Sequence, residues 1–195
     1  MKLDIDIFKI KQNNIKPKKG RVLISEPFLQ GYYFSRSIVL LTEHDAEGSM
    51  GLVLNKPLDL KIGSVLKDVS FSDTKLICGG PVSPDKLFYI HSFKNVPGAT
   101  ELIKGLFFGG NFEYIKDLLA INPNFLNDIR FFIGYAGWSP GQLADELKES
   151  SWLVADLSAE RILHSPINKL WKTTVESLGE EYSRWTNFPS NPEMN

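Results

Sequence analysis

Apolar residues fall along this chain in many short runs, and each run carries the spacing of a strand or of one helix face. Arg21 to Ser25, Ser37 to Thr42 and Met50 to Leu54 are unbroken or nearly unbroken apolar stretches of strand length, as expected of strands buried on both faces. The Asp45–Ser49 link between the second and third has hairpin length, which predicts antiparallel neighbours. Asn55-Lys-Pro ends the third strand, because Pro57 cannot donate to a ladder. Ile62, Val65, Leu66 and Val69 have helical spacing, and strands follow at Lys75–Cys78, Leu87–His91 and Leu106–Phe108. Phe112, Ile115, Leu118 and Leu119 mark a helix that stops near Pro123. Near the end, Trp152–Asp156 reads as a strand and Ile167–Leu178 as a helix closed by Gly179.

The densest pattern runs from Arg130 to Leu147. Phe131, Phe132, Ile133 and Tyr135 make a strand covered on both faces, and Gly134 and Gly137 are expected to let the backbone leave the sheet sharply. Ser139, Pro140, Gly141 and Gln142 then read as N-cap, N1, N2 and N3: the hydroxyl accepts an orphan amide and the glutamine reaches back to the cap amide. Leu143 and Leu147 give that helix one apolar stripe, with Asp145, Glu146, Lys148 and Glu149 assigned to its solvated side. Strands outnumber helices and no regular βαβ period is present, so the pattern predicts an α+β fold rather than a doubly wound one. Residues 1–19 read as a flexible basic arm, 20–185 as one domain and 186–195 as a frayed tail.

Gly134-Tyr-Ala-Gly-Trp-Ser-Pro-Gly-Gln-Leu143, followed by Ser151-Trp-Leu-Val154, resembles the hallmark of the bacterial AlgH/YqgE family. Further blocks agree in order: Gly20–Ser25, Glu43-His44-Asp45, Gly51–Pro57, Gly79–Val82, His91-Ser92, Gly109-Gly110 and Leu170-Trp171-Lys172. The resemblance extends from about Gly20 to Tyr182. It implies a mixed, largely antiparallel, bifurcated sheet folded into a pseudo-barrel with flanking helices. Family members are described as uncharacterised or, through a link to alginate synthesis, as transcriptional regulators. No catalytic residue comes with the resemblance.

Composition adds a charge asymmetry. The 195 residues are 43% hydrophobic and 23% charged, ordinary for a soluble protein. Residues 1–21 carry seven basic side chains against Asp4 and Asp6, net +5, which leaves net −6 on the rest, given −1 for the whole chain. An acidic body repels phosphate backbones, so specific nucleic-acid binding is not expected of it. One cysteine excludes a disulfide framework, the first twenty residues make no apolar leader run, and no apolar run approaches the ~18 residues of a membrane span. A cytoplasmic protein with no membrane partner is expected.

Gly137-Trp-Ser-Pro-Gly141 formally matches a nucleophile elbow, and Asp156 and His164 follow in the order of a triad. Pro140 argues against it, since the residue after the serine must give its N–H to the oxyanion. The same turn is the candidate ligand-binding region: Gly134, Gly137, Trp138, Ser139, Gly141 and Gln142, with His91, around an apolar cleft, an exposed Trp138 serving as a contact. His44, His91 and His164 are scattered without metal-ligand spacing, so no metal or other cofactor is expected. Cys78 is expected to be a buried, inert thiol without a flanking cation. Taken together the sequence points to a non-enzymatic regulatory or binding module that acts through a protein or small ligand. The alternatives are an enzyme using His91 and Ser92, or His44 with Asp45, near the glycine turns, and a regulator that binds DNA directly.

Overall fold

A computed structural model describes residues 13–67 and 69–188. Its strands are β1 (Val22–Ser25), β2 (Ile38–Asp45), β3 (Gly48–Val53), β4 (Pro57–Lys61), β5 (Lys75–Cys78), β6 (Val82–His91), β7 (Thr100–Ile103), β8 (Leu106–Phe108), β9 (Ile129–Trp138) and β10 (Trp152–Ala155). Its helices are α1 (Phe112–Ile121), α2 (Gln142–Lys148), α3 (Ala159–His164), α4 (Leu170–Ser177) and α5 (Glu180–Ser183). The fold is α+β: the main path of the sheet runs β10-β1-β2-β3-β9-β6-β8-β7, antiparallel at every step. β5 joins β9 in parallel and carries β4 on its other edge. The pseudo-barrel expectation needs this qualification: no ladder among the described residues joins β10 to β7, so the sheet stays open.

β9 is the axis of the molecule because it has different neighbours along its length. Its first half lies between β6 and β5, and its last three residues pair with β3 instead. That exchange is the fork in the sheet. Alternation along β9 then feeds separate cores: Phe132 enters the core under α3 and α4, Phe131 and Ile129 the core under α1, and Ala136 and Trp138 the core under α2. Phe131 stacks on Phe71 with ring centres 5.5 Å apart.

Several sequence expectations need correction. Gly134 and Gly137 do not end β9, which continues to Trp138; Gly134 instead bends it, at φ +70°, where the register with β6 also shifts between Val82 and Leu87. The helix read from Ile62, Val65, Leu66 and Val69 is a single 3-10 turn, Ile62–Ser64. The amides of Ile62 and Gly63 donate to Thr74 and Ser72 rather than up a helix, and Val65 is exposed. Pro57 does end the β3 run, but it also opens β4, an edge strand that tolerates a missing donor. Strand β7 and helix α3 were not anticipated. Of the expected tail, Thr186 and Asn187 close a 3-10 turn, Arg184–Asn187, and the Phe188 ring lies 4.9 Å from that of Phe28; residues 189–195 lie outside the described ones. Of the expected arm, residues 1–12 also lie outside them, and 13–18 run as irregular chain.

Candidate functional site

The segment that follows β9 is capped differently from its sequence reading. Helix α2 starts two residues later than expected, with Gly141 at the N-cap position in the left-handed region at φ +81°. Ser139 therefore does not cap it. Gln142 does reach back: its Oε1 accepts from the Ser139 amide at 3.1 Å and from the Ser139 hydroxyl at 3.0 Å. The serine hydroxyl is thus a donor to the glutamine, and Pro140 sits in the turn outside the helix.

Trp138 is buried rather than exposed, and its partner is a residue placed on the wrong face by the sequence reading. Glu146 Oε2 accepts from the Trp138 indole at 2.9 Å and from the Trp152 indole at 2.7 Å, while Oε1 accepts from Gln142 Nε2 at 2.9 Å. The two indoles meet edge to face at 6.1 Å. One carboxylate thus ties β9, α2 and β10 together, which accounts for the Trp138, Gln142 and Trp152 positions as packing.

Two of the glycines have opposite reasons. A Cβ on Gly134 would stand 2.5 Å from the Gly80 carbonyl oxygen, and one on Gly79 would stand 2.1 Å from the Gly134 oxygen, so only bare backbone fits this crossing. Gly137 has no such demand: its φ is not in the left-handed region, and an added Cβ would meet only the tip of the Tyr135 ring at 3.2 Å and Val82 Cγ2 at 3.8 Å. Yet Gly137 is exposed.

Above Gly137 lies an open cleft of about 420 Å³, lined by Glu43, Asp45 and Glu47 of the β2–β3 hairpin, Met50 of β3, Tyr135 and Gly137 of β9, and Val82 of β6, among others. Pairing explains the convergence. Glu43 is opposite Met50 and Met50 is opposite Gly137, so the three form one row across the sheet and share one face. Tyr135, two residues back, shares that face and is opposite Val82. The three carboxylates are exposed. The cleft is therefore not the apolar one expected: it has an aromatic and aliphatic wall and an acidic rim. Of the candidate residues it takes in Gly137 and Trp138, while Ser139, Gly141 and Gln142 belong to the capping turn beside it. The hairpin carboxylates were missed as site residues although Glu43-His44-Asp45 stood out; the strand expected to end at Thr42 runs on to Asp45, which puts Glu43 and Asp45 on one face.

His91 is not part of this site. It is opposite Ile129 at the far end of β9, about 26 Å from Gly137 at strand rise. It is fully buried between the rings of Phe93 and Phe107; Nε2 donates to the Gly109 carbonyl at 3.0 Å and Nδ1 accepts from the Phe93 amide at 3.1 Å. Burial pushes its pKa below the ordinary value. The formal triad is not assembled either. Asp156 pairs with Arg21 at 2.9 Å, and His164 lies between Asp128, which precedes β9, and Glu160, at the opposite end of the strand from Ser139. His44 Nδ1 meets the Ser49 hydroxyl at 2.7 Å. Cys78 is buried, which raises its thiol pKa, but Lys56 lies close enough to act against that rise, a neighbour the sequence reading lacked. Burial in turn lowers the Lys56 pKa, and its Nζ donates to the Ser35 carbonyl at 2.6 Å. Among the described residues no helix is long and apolar enough to cross a membrane.

Comparison with known proteins agrees with this architecture. The AlgH-like family model matches residues 22–183. A UPF0301 protein of Bacteroides thetaiotaomicron is 42% identical over the full length of both chains, and one of Chlorobaculum tepidum is 38% identical over 91% of this chain and 96% of its own. The solution structure of AlgH from Pseudomonas aeruginosa superposes with TM-score 0.69 at 25% identity, covering 92% of this chain and 98% of that one. A Corynebacterium diphtheriae crystal structure shares the fold, with TM-score 0.76 at 23% identity over 92% and 95% of the two chains. With its forked sheet, its glycine crossing and a family match across most of its length, this chain belongs to the AlgH-like family.

Proposed function

We propose that this protein is a non-enzymatic binding module whose site is the acid-rimmed cleft above Gly137. One observation carries the reading: glycine stands exposed at 137 where its backbone angle does not require it, with only the edge of the half-buried Tyr135 ring close to where a Cβ would stand, and a large side chain there would project into the cleft. The lining favours an organic cation, with Tyr135, Val82 and Met50 for its stem and the hairpin carboxylates for its charge. The groups that a hydrolase reading would use support the non-enzymatic side, since Ser139, Asp156 and His164 are each engaged elsewhere. A regulatory role would act through whatever the cleft holds. Nucleic acid is a poor candidate, because Glu43, Asp45 and Glu47 face it with the wrong sign. The compartment we take to be the cytoplasm, where a single buried thiol is unremarkable.

The test is a nitrogen-15 NMR titration with spermidine and with arginine amide. Shifts at Glu43, Ser49 and Gly137 in the parent, lost in Gly137→Leu, are expected; an unmoved spectrum in the parent overturns the reading.

A further inference from the structure

The same end of β9 has a second feature that the cleft alone does not explain. On one side β3 pairs with β9 out to Ser49↔Trp138, but on the other side the β6 ladder ends at Val82↔Tyr135. Among the described residues no strand is paired with Ala136–Trp138 on the β6 side. An exposed glycine therefore sits on a short open sheet edge, directly beside the cleft.

Resting on the binding-module reading above, we propose that the occupant is an extended segment of a partner protein. It adds as a short strand to the open edge of β9 and lays one lysine or arginine side chain across Gly137 into the acidic cleft. Register fixes which side chain this is. Residues directly opposite each other in an antiparallel pair point to the same face, so the partner residue opposite Gly137 shares the face of Met50 and Glu43. Strand spacing of about 5 Å puts its Cα roughly 15 Å from that of Glu43, a gap that a short side chain cannot bridge but a long cationic one meeting the glutamate can. Gly137 offers nothing to block the path, and Met50 beneath it is flexible enough to give. Main-chain pairing supplies affinity that is indifferent to sequence, and the cleft selects the basic residue, a division of labour known from strand addition at sheet edges.

The experiment compares three acetylated, amidated tetrapeptides by NMR titration of the full chain: Thr-Val-Lys-Val, which stops short of Val82 opposite Tyr135, the same peptide with glutamate for lysine, and the lysine peptide N-methylated at the lysine, whose amide faces Gly137. The lysine peptide is expected to shift the amides of Gly137 and Trp138 together with those of Glu43 and Asp45. The glutamate peptide and the N-methylated peptide should each bind about tenfold more weakly, and a Glu43→Gln, Asp45→Asn, Glu47→Gln variant should lose a similar factor for the lysine peptide alone. Equal binding of the N-methylated and parent peptides overturns strand addition, and equal binding of the glutamate peptide overturns the cationic selection. If spermidine shifts the cleft while the lysine peptide does not bind, this proposal fails and the binding-module reading stands. If neither probe moves the spectrum, both fail. The substituted carboxylates are exposed, so the triple variant keeps its fold, and its unchanged spectrum away from the hairpin checks that.

Discussion

The two halves of β9 differ in nearly everything except secondary structure. From Ile129 to Ile133 the strand is paired with β6 throughout and with β5 as well at Phe132 and Ile133, and its aromatic residues enter cores on both faces. From Ala136 to Trp138 it is paired on the β3 side alone, one face buried by α2 and the other, with Tyr135, forming the floor of a cleft. Gly134 is the hinge point between them. The first half is built for stability and the second leaves backbone and surface available. That contrast gives the stretch from Gly134 to Trp152 two jobs: the glycine crossing and the Trp138–Glu146–Trp152 clasp hold the second half in place, and Gly137 leaves its outer face uncovered.

The sharpest way to break this comparison is to substitute the two glycines in turn. Gly134→Ala forces a side chain into a left-handed residue and against the Gly80 oxygen, so it should cost about 3 kcal/mol or more in denaturant unfolding. A loss below about 1 kcal/mol would show that the crossing relaxes easily and is no hinge. Next comes the clasp. Glu146→Ala leaves two buried indole N–H groups without their acceptor and should cost about 2 kcal/mol, with a change in tryptophan fluorescence as Trp138 and Trp152 lose their partner. Unchanged fluorescence would place the clasp among the incidental contacts.

Much of this was legible in the sequence, and the rest was hidden for physical reasons. Strands such as Lys75–Cys78 and Leu106–Phe108 were read to the residue, because buried runs bounded by glycine leave little choice. β7 was missed because Thr100 and Glu101 are exposed and only Leu102 is buried. Periodicity finds what a core needs, and an edge strand needs little. Glu146 was assigned to solvent because charge usually sits there; only the arrival of Trp152 from β10 gives it a buried task. The cleft was invisible for a related reason. It depends on Glu43, Met50 and Gly137 standing in one row, which is a matter of register between strands far apart in sequence, and register is not written in any one strand. The Ser139 reading failed by two residues: Gly141 takes the left-handed N-cap position, so the glutamine reaching back was right and the capping serine was not.

His91 belongs to the stable half and should behave accordingly. Its folded pKa is below the ordinary 6.5, because burial penalises the charged ring by more than the hydrogen bond to the Gly109 carbonyl favours it. The folded protein then takes up this proton less readily than the unfolded chain, so stability should fall as pH drops through about 6.5 and should not change through this group above it. Unfolding free energies between about pH 7.5 and pH 5 test this, with His91→Gln as the reference that lacks the acid-dependent component. A slope equal in parent and variant would show that another group is responsible. Gly137→Ala is the counterpart in the open half: with no strained φ and only a ring tip in contact, it should leave stability within about 0.5 kcal/mol of the parent. A loss on the scale of Gly134→Ala would mean that Gly137 is structural, and the argument for an open floor would go with it.

The smallest effect is expected at the residue that looked most functional. Ser139 is exposed, and its hydroxyl gives one hydrogen bond to Gln142 Oε1, an atom that also receives the Ser139 amide. Removing the hydroxyl leaves the amide bond in place and the helix start unchanged, because Gly141, not Ser139, stands at the N-cap. Ser139→Ala should therefore cost only about 0.3 kcal/mol, against about 1 kcal/mol for a lost serine cap. Gln142→Ala should cost more than Ser139→Ala, since it removes the acceptor of the Ser139 amide and the donor to Glu146 together. Hydrolysis of p-nitrophenyl acetate should run at the background rate for parent and Ser139→Ala alike. A loss of about 1 kcal/mol or more on Ser139→Ala would restore the serine as the cap, and a hydrolytic activity that vanishes with the hydroxyl would move the chemistry of this protein from the cleft to the turn.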